Sequence, residues 1–218
     1  MLYSIKKEIK SIEKFIDQWE KAKKIGAGNI TIVSTNPTYS TDLENSKYEN
    51  FIGSADYHYF IGRILFIRGA GIYGFFCAQQ CIENYLKAYF IFKGGKLDKK
   101  LTKNSHDLSK WLERCRNLSP LKSFFYTRRA GLIIEKYDPF NELPRYPVIR
   151  RGIKGSYGYI QPHDIFPLDY FVYKVRKEMP LPAGVWDIFR EDRPYSAGSL
   201  DKKDPLVSTF KDSNINFP

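Results

Sequence analysis

Leu2, Ile5, Ile9, Ile12, Ile16 and Trp19 recur every three or four positions with lysines and glutamates between them, which predicts an amphipathic helix over residues 2–25. Gly26 and Gly28 end it. Residues 29–34 alternate and are β-branched, the pattern of a short strand. Asn36-Pro37 and the polar run to Asn50 predict a connection, with a boundary near residue 50. From Ser54, a plausible N-cap, to Ile67 a second helix carries Tyr57, Phe60, Ile61, Ile64 and Leu65 on one wide stripe, and Gly69 and Gly71 break it.

Residues 72–92 are apolar for long enough to span a bilayer. Their polar members, Gln79, Gln80, Glu83, Asn84 and Lys87, fall on one narrow helical face, a stripe that lipid would penalise. The segment therefore reads as the central helix of a bundle, not as a membrane span. After a lysine-rich loop, Ser105-His106-Asp107-Leu108 opens a helix with Ser105 as cap and Leu108, Trp111, Leu112 and Cys115 as its buried stripe. Residues 121–137 predict a further helix, residues 143–147 an extended proline-bounded stretch, residues 148–160 a small β-hairpin, and residues 164–179 a last helix with Pro167 in its first turn.

These elements define a mostly α protein: a helix and strand extension over 1–50, an antiparallel up-and-down bundle of four to five helices over 51–179, and a surface tail over 180–218. Sixteen Phe, 16 Tyr and 3 Trp in 218 residues exclude a wholly disordered chain. Three cysteines exclude a disulfide scaffold and, with no apolar leader at the N-terminus, predict a cytoplasmic protein. The net charge of +11 is concentrated in residues 51–140, which carry 15 Lys/Arg against 7 Asp/Glu. Such an excess fits a polyanionic partner or a merely solubilising surface.

The segments Phe76 to Lys87, Ser105-His-Asp-Leu108 and Leu143-Pro-Arg-Tyr-Pro147, in that order, resemble a HEPN domain over roughly residues 51–147. The resemblance implies an antiparallel helical bundle that forms a homodimer. It also implies one of two behaviours: a metal-independent ribonuclease, often a toxin, with an Arg and a His four to six residues apart, or a nucleotide- or RNA-associated protein beside a nucleotidyltransferase. None of His58, His106 and His163 follows an arginine at that spacing, and Ile133 to Lys136 stand where a histidine would answer Arg128-Arg129. The expectation is thus a binding protein for nucleotide or RNA, or for a nucleotidyltransferase-type partner. A toxin-type ribonuclease with His106 as general base and a structural interaction module are the alternatives.

The residues assigned to binding are Gln79, Gln80, Glu83, Asn84, Lys87, His106, Arg145 and Tyr146. Glu83 and Lys87 also suit a plain i,i+4 ion pair, and it is the neighbouring amides that raise the stripe above that. Lys93, Lys96, Lys99, Lys100 and Lys103 form a phosphate-attracting loop before the helix start at His106. Arg145-Tyr146 either places a guanidinium and ring near a nucleotide or pins the loop. Cys77 and Cys81 share a face but lack further ligands, so they read as buried thiols, and neither metal nor cofactor is expected.

Overall fold

The computed structural model describes residues 47–98, 101, 106–141, 162–181, 189 and 205–217, which belong to one compact unit spanning Tyr39–Pro218. The predicted helix at 2–25, the strand at 29–34, the Arg145-Tyr146 stretch and the hairpin at 148–160 lie outside the described residues. Six α-helices are described: α1 (Tyr48–Ile67), α2 (Gly71–Phe92), α3 (Leu108–Asn117), α4 (Arg128–Tyr137), α5 (Phe166–Glu178) and α6 (Pro205–Lys211). Short 3-10 turns at Phe124–Tyr126, Asp138–Asn141 and Pro162–Ile165 lead into or out of them, and no strand occurs among the described residues.

The long pair α1 and α2 is the spine. Gly69, at φ +84°, ends α1 by donating its N–H to Phe66 O at 3.2 Å, while Ala70 N–H reaches Leu65 O at 2.8 Å. This is the two-bond Schellman closure, which needs a left-handed residue. Gly62 lets the two helices approach closely, since a Cβ there would stand 3.0 Å from Cys77 Cβ. Apolar residues surround most of α2, because it packs on α1, α3, α4 and α5 at once. Ile82, Tyr85, Leu86 and Tyr89 are fully buried at the centre, with Trp111, Phe125 and Phe171 brought in by the surrounding elements. Among the described residues no helix is long and apolar enough to cross a membrane.

Several boundaries differ from expectation, each for a tertiary reason. α1 starts at Tyr48 and not at Ser54, because Tyr48 packs its ring 5.3 Å from Phe92 and Ile52 is buried in the core. Asp107, not Ser105, caps α3 by accepting from Lys110 N at 2.9 Å. The helix expected over 121–137 is interrupted: Thr127 Oγ1 caps α4 by accepting from Ala130 N at 3.3 Å, and Phe124 and Phe125 bury themselves in the 3-10 turn before it. Of the residues expected to form a surface tail, 205–217 are described and pack on the core. α6 buries Val207 and Phe210, and Asn214 after it is 3% exposed.

Candidate functional site

The polar stripe of α2 runs beneath the turn that carries His106. Glu83, 3% exposed, sits at its middle. Lys87 Nζ lies 2.5 Å from Glu83 Oε1, and His106 Nδ1 lies 3.0 Å from Glu83 Oε2. Gln79 is fully buried and donates from Nε2 to Glu83 Oε2 at 3.3 Å and to His106 O at 3.1 Å, tying the turn to the helix. Gln80 donates to Gln79 Oε1 at 2.5 Å, and Asn84 donates back to Gln80 O at 2.8 Å. The stripe is therefore largely closed within the chain. Lys87 is 8% exposed, its ammonium lies 5.6 Å from the Trp111 ring centroid, and its charge is met by Glu83, so it is not offered to a phosphate. His106, whose side chain is 47% exposed, is the most open member, with Gln80 and Asn84 half-buried.

The electrostatics around Glu83 extend further. His58, on α1, is half-buried, and burial lowers its imidazole below the usual range while the Glu83 carboxylate opposes the shift. Asp138 accepts Leu108 N–H at 2.8 Å, and burial raises its carboxyl above the usual range despite that bond. Asp138 also borders a cleft of about 430 Å³ between α3 and α4, with Ser109, Leu112, Arg116, Ile134 and Glu135 among its lining. That volume lies in the range of small-molecule sites. The cleft opens beside the first turn of α3 at Ser109, three residues after His106.

Lys93 and Lys96 are exposed, and Lys93 lies over the Tyr89 and Phe92 rings at 5.4 and 5.1 Å. Lys99, Lys100, Lys103, Arg145 and Tyr146 lie outside the described residues. Cys77 and Cys81 are buried thiols, the first pushed up to about 11 by burial and the second well above its ordinary value for the same reason.

Sequence reasoning missed a second polar network. Arg63 on α1 pairs with Asp169 on α5 and donates to two C-terminal carbonyls, Phe210 O at 2.8 Å from Nε and Asp212 O from Nη2. The Tyr59 hydroxyl lies 2.7 Å from Asp169 Oδ1 and 2.9 Å from Asn214 Oδ1, and it accepts from Asn216 Nδ2 at 3.0 Å. Nearby, Tyr85 donates to Asp56, whose other oxygen lies 3.8 Å from Arg176 Nη1. The local signal was present: Arg63 and Asp169 interrupt apolar stretches of their helices. No family model, curated protein or solved structure matches the chain.

Proposed function

We propose that the chain is a HEPN-like helical protein that binds a nucleotide or RNA at the His106 edge of the bundle, as a homodimer or beside a nucleotidyltransferase-type partner. The observation that carries this reading is the half-exposed His106 ring held by Nδ1 against a buried Glu83 that Lys87 neutralises. A histidine oriented in this way offers its other nitrogen in a fixed direction. The adjoining cleft supplies room for a base, with Arg116 and the Asp138 carboxylate on its wall. The basic balance of residues 51–140 favours a polyanion. A thermal-shift titration with nucleotides and single-stranded RNA tests it. A ligand of the native fold raises Tm, and His106→Ala removes the rise given by mononucleotides. No rise with any of them ends the proposal.

The same pair favours a second reading. An imidazole backed by a carboxylate is the arrangement of a general base, able to take the proton of a ribose 2′-hydroxyl during metal-independent cleavage. On a denaturing gel, RNA cleavage that survives EDTA and is lost in His106→Ala establishes that reading. Intact RNA under all conditions removes it.

A further inference from the structure

The outward face of α5 has a composition that neither the resemblance nor the His106 edge explains. Phe166, Tyr170, Tyr173, Lys174 and Lys177 recur at helical spacing along it. Phe166 is 52% exposed, Lys177 is exposed, and Tyr170, Tyr173 and Lys174 are half-buried. Each tyrosine carries a cation beside its ring. Lys177 Nζ lies 4.2 Å from the Tyr173 centroid, Lys174 Nζ lies 5.4 Å from that of Tyr170, and Arg129 of α4 donates to the Tyr170 hydroxyl at 3.2 Å. The helix has two carboxylates, and neither faces outward. Asp169 is 1% exposed against Arg63, and Glu178 accepts from Phe124 N at 2.5 Å and Ser123 Oγ at 2.6 Å. The outward charges along the stripe are therefore all positive.

We infer that this face, with Tyr173 and Lys177 at its C-terminal end, binds single-stranded nucleic acid, the cations following the phosphates and the outer faces of the rings stacking on bases. Alternating rings and cations without carboxylates are what a strand-binding platform requires, since every base has a face to stack and every linkage a charge to meet. The stripe also runs into a depression. Tyr173 and Lys177 line a cleft of about 290 Å³ with Arg176, Leu181, Phe189 and Asn216. Arg176 stacks 5.3 Å from the Phe189 ring there, so the cleft repeats the pairing of ring and cation. No residue of this face belongs to the His106 edge, and the inference does not rest on the reading of that edge.

Fluorescence anisotropy of the full chain with a labelled single-stranded RNA tests it, beside vesicles containing phosphatidylserine. Binding is expected to weaken steeply with salt. The variant Lys174→Gln/Lys177→Gln is expected to lower the slope of log K against log salt by about 1.4, from about 0.7 per lost phosphate contact. Tyr173→Ala is expected to weaken binding about tenfold, while Tyr173→Phe, which keeps the ring, binds as the parent does. For this RNA the lysine variant is expected to lose more affinity than His106→Ala. Loss of binding in His106→Ala with the lysine variant unaffected would assign the RNA to the other edge and overturn the inference. Absence of RNA binding, or binding to the vesicles alone, overturns it as well. None of the four substituted positions is buried, and an unchanged Tm shows that the fold is intact.

Discussion

Glu83 and Asp169 are both carboxylates at inward positions of their helices, and each is paired with a cation, yet only one pair has a route to water. Around the Asp169 carboxylate both side-chain partners are buried, Arg63 at 1% exposed and Tyr59 fully, and Asn214 behind Tyr59 is 3% exposed. Burial and the Asp169 carboxylate push the Tyr59 phenol well above its usual range, so it remains a hydrogen-bond donor. Arg63 is held by carbonyls of the C-terminal segment, and Phe210 seals the network against Tyr59 and Phe60 at 5.4 and 4.9 Å between ring centroids. Around Glu83 the third partner, His106, is half-exposed and follows a loop. The difference is in what covers each pair. A sealed network fixes the C-terminal segment to α1 and α5, whereas an open one can exchange a partner for a ligand.

The sharpest way to break this comparison is to remove Asp169. Asp169→Ala leaves a buried guanidinium without its counter-charge and is expected to cost about 3–5 kcal/mol in urea unfolding. The volume-matched double variant Arg63→Met/Asp169→Leu should recover most of that loss, because it removes the desolvated charge altogether. A loss below about 1 kcal/mol for the single variant would mean that the network is open to water after all. Next in size is Phe210→Ala, which deletes a fully buried ring and should cost about 3 kcal/mol. A near-neutral result there would detach α6 from the core.

On the open side the effects are smaller. Glu83→Ala removes one partner each from Lys87, Gln79 and His106. A loss of about 1–3 kcal/mol is expected, less than at Asp169. Equal losses at the two sites would erase the distinction between them. Asp107→Ala deletes the cap of α3 and is expected to cost about 1 kcal/mol. Because that cap follows His106 directly, nitrogen chemical shifts of the imidazole should change as the ring loses its register on Glu83. Unchanged shifts would show that Gln79 alone holds the turn.

The long α2 was legible to within a residue because its pattern is local, apolar on three sides and polar on one. Membership of the stripe was legible too, but its depth was not. Gln79 is fully buried and Lys87 nearly so because a turn 27 positions further on closes over them. No periodicity within α2 encodes that closure. The start of α1 was lost in the same way, since Tyr48 is drawn into the helix by Phe92. The C-terminal network was the least legible part. Its bonds join residues 147 to 157 positions apart, and a short segment rich in polar residues looks locally like any tail. What the sequence did contain was an arginine and an aspartate placed where apolar residues were due, and these are the marks of a buried partner.

The smallest effect links the two halves of the comparison through pH. Burial holds the His58 imidazole below its ordinary value, with Glu83 pulling the other way. In the unfolded chain His58 titrates near pH 6.5, and in the fold it takes up its proton at lower pH. Between those two points the unfolded state binds more protons, so stability falls as pH falls from about 6.5 toward the folded value. The urea midpoint of the parent should therefore drop over that interval. In His58→Gln the drop should be shallower, the difference between the two curves isolating this imidazole from the carboxylates that titrate in acid. Glu83→Gln should deepen it, since the carboxylate that eases protonation of His58 is gone. If Glu83→Gln leaves the His58-dependent drop unchanged, then the open site does not reach α1 electrostatically, and Glu83 acts only on Lys87, Gln79 and His106.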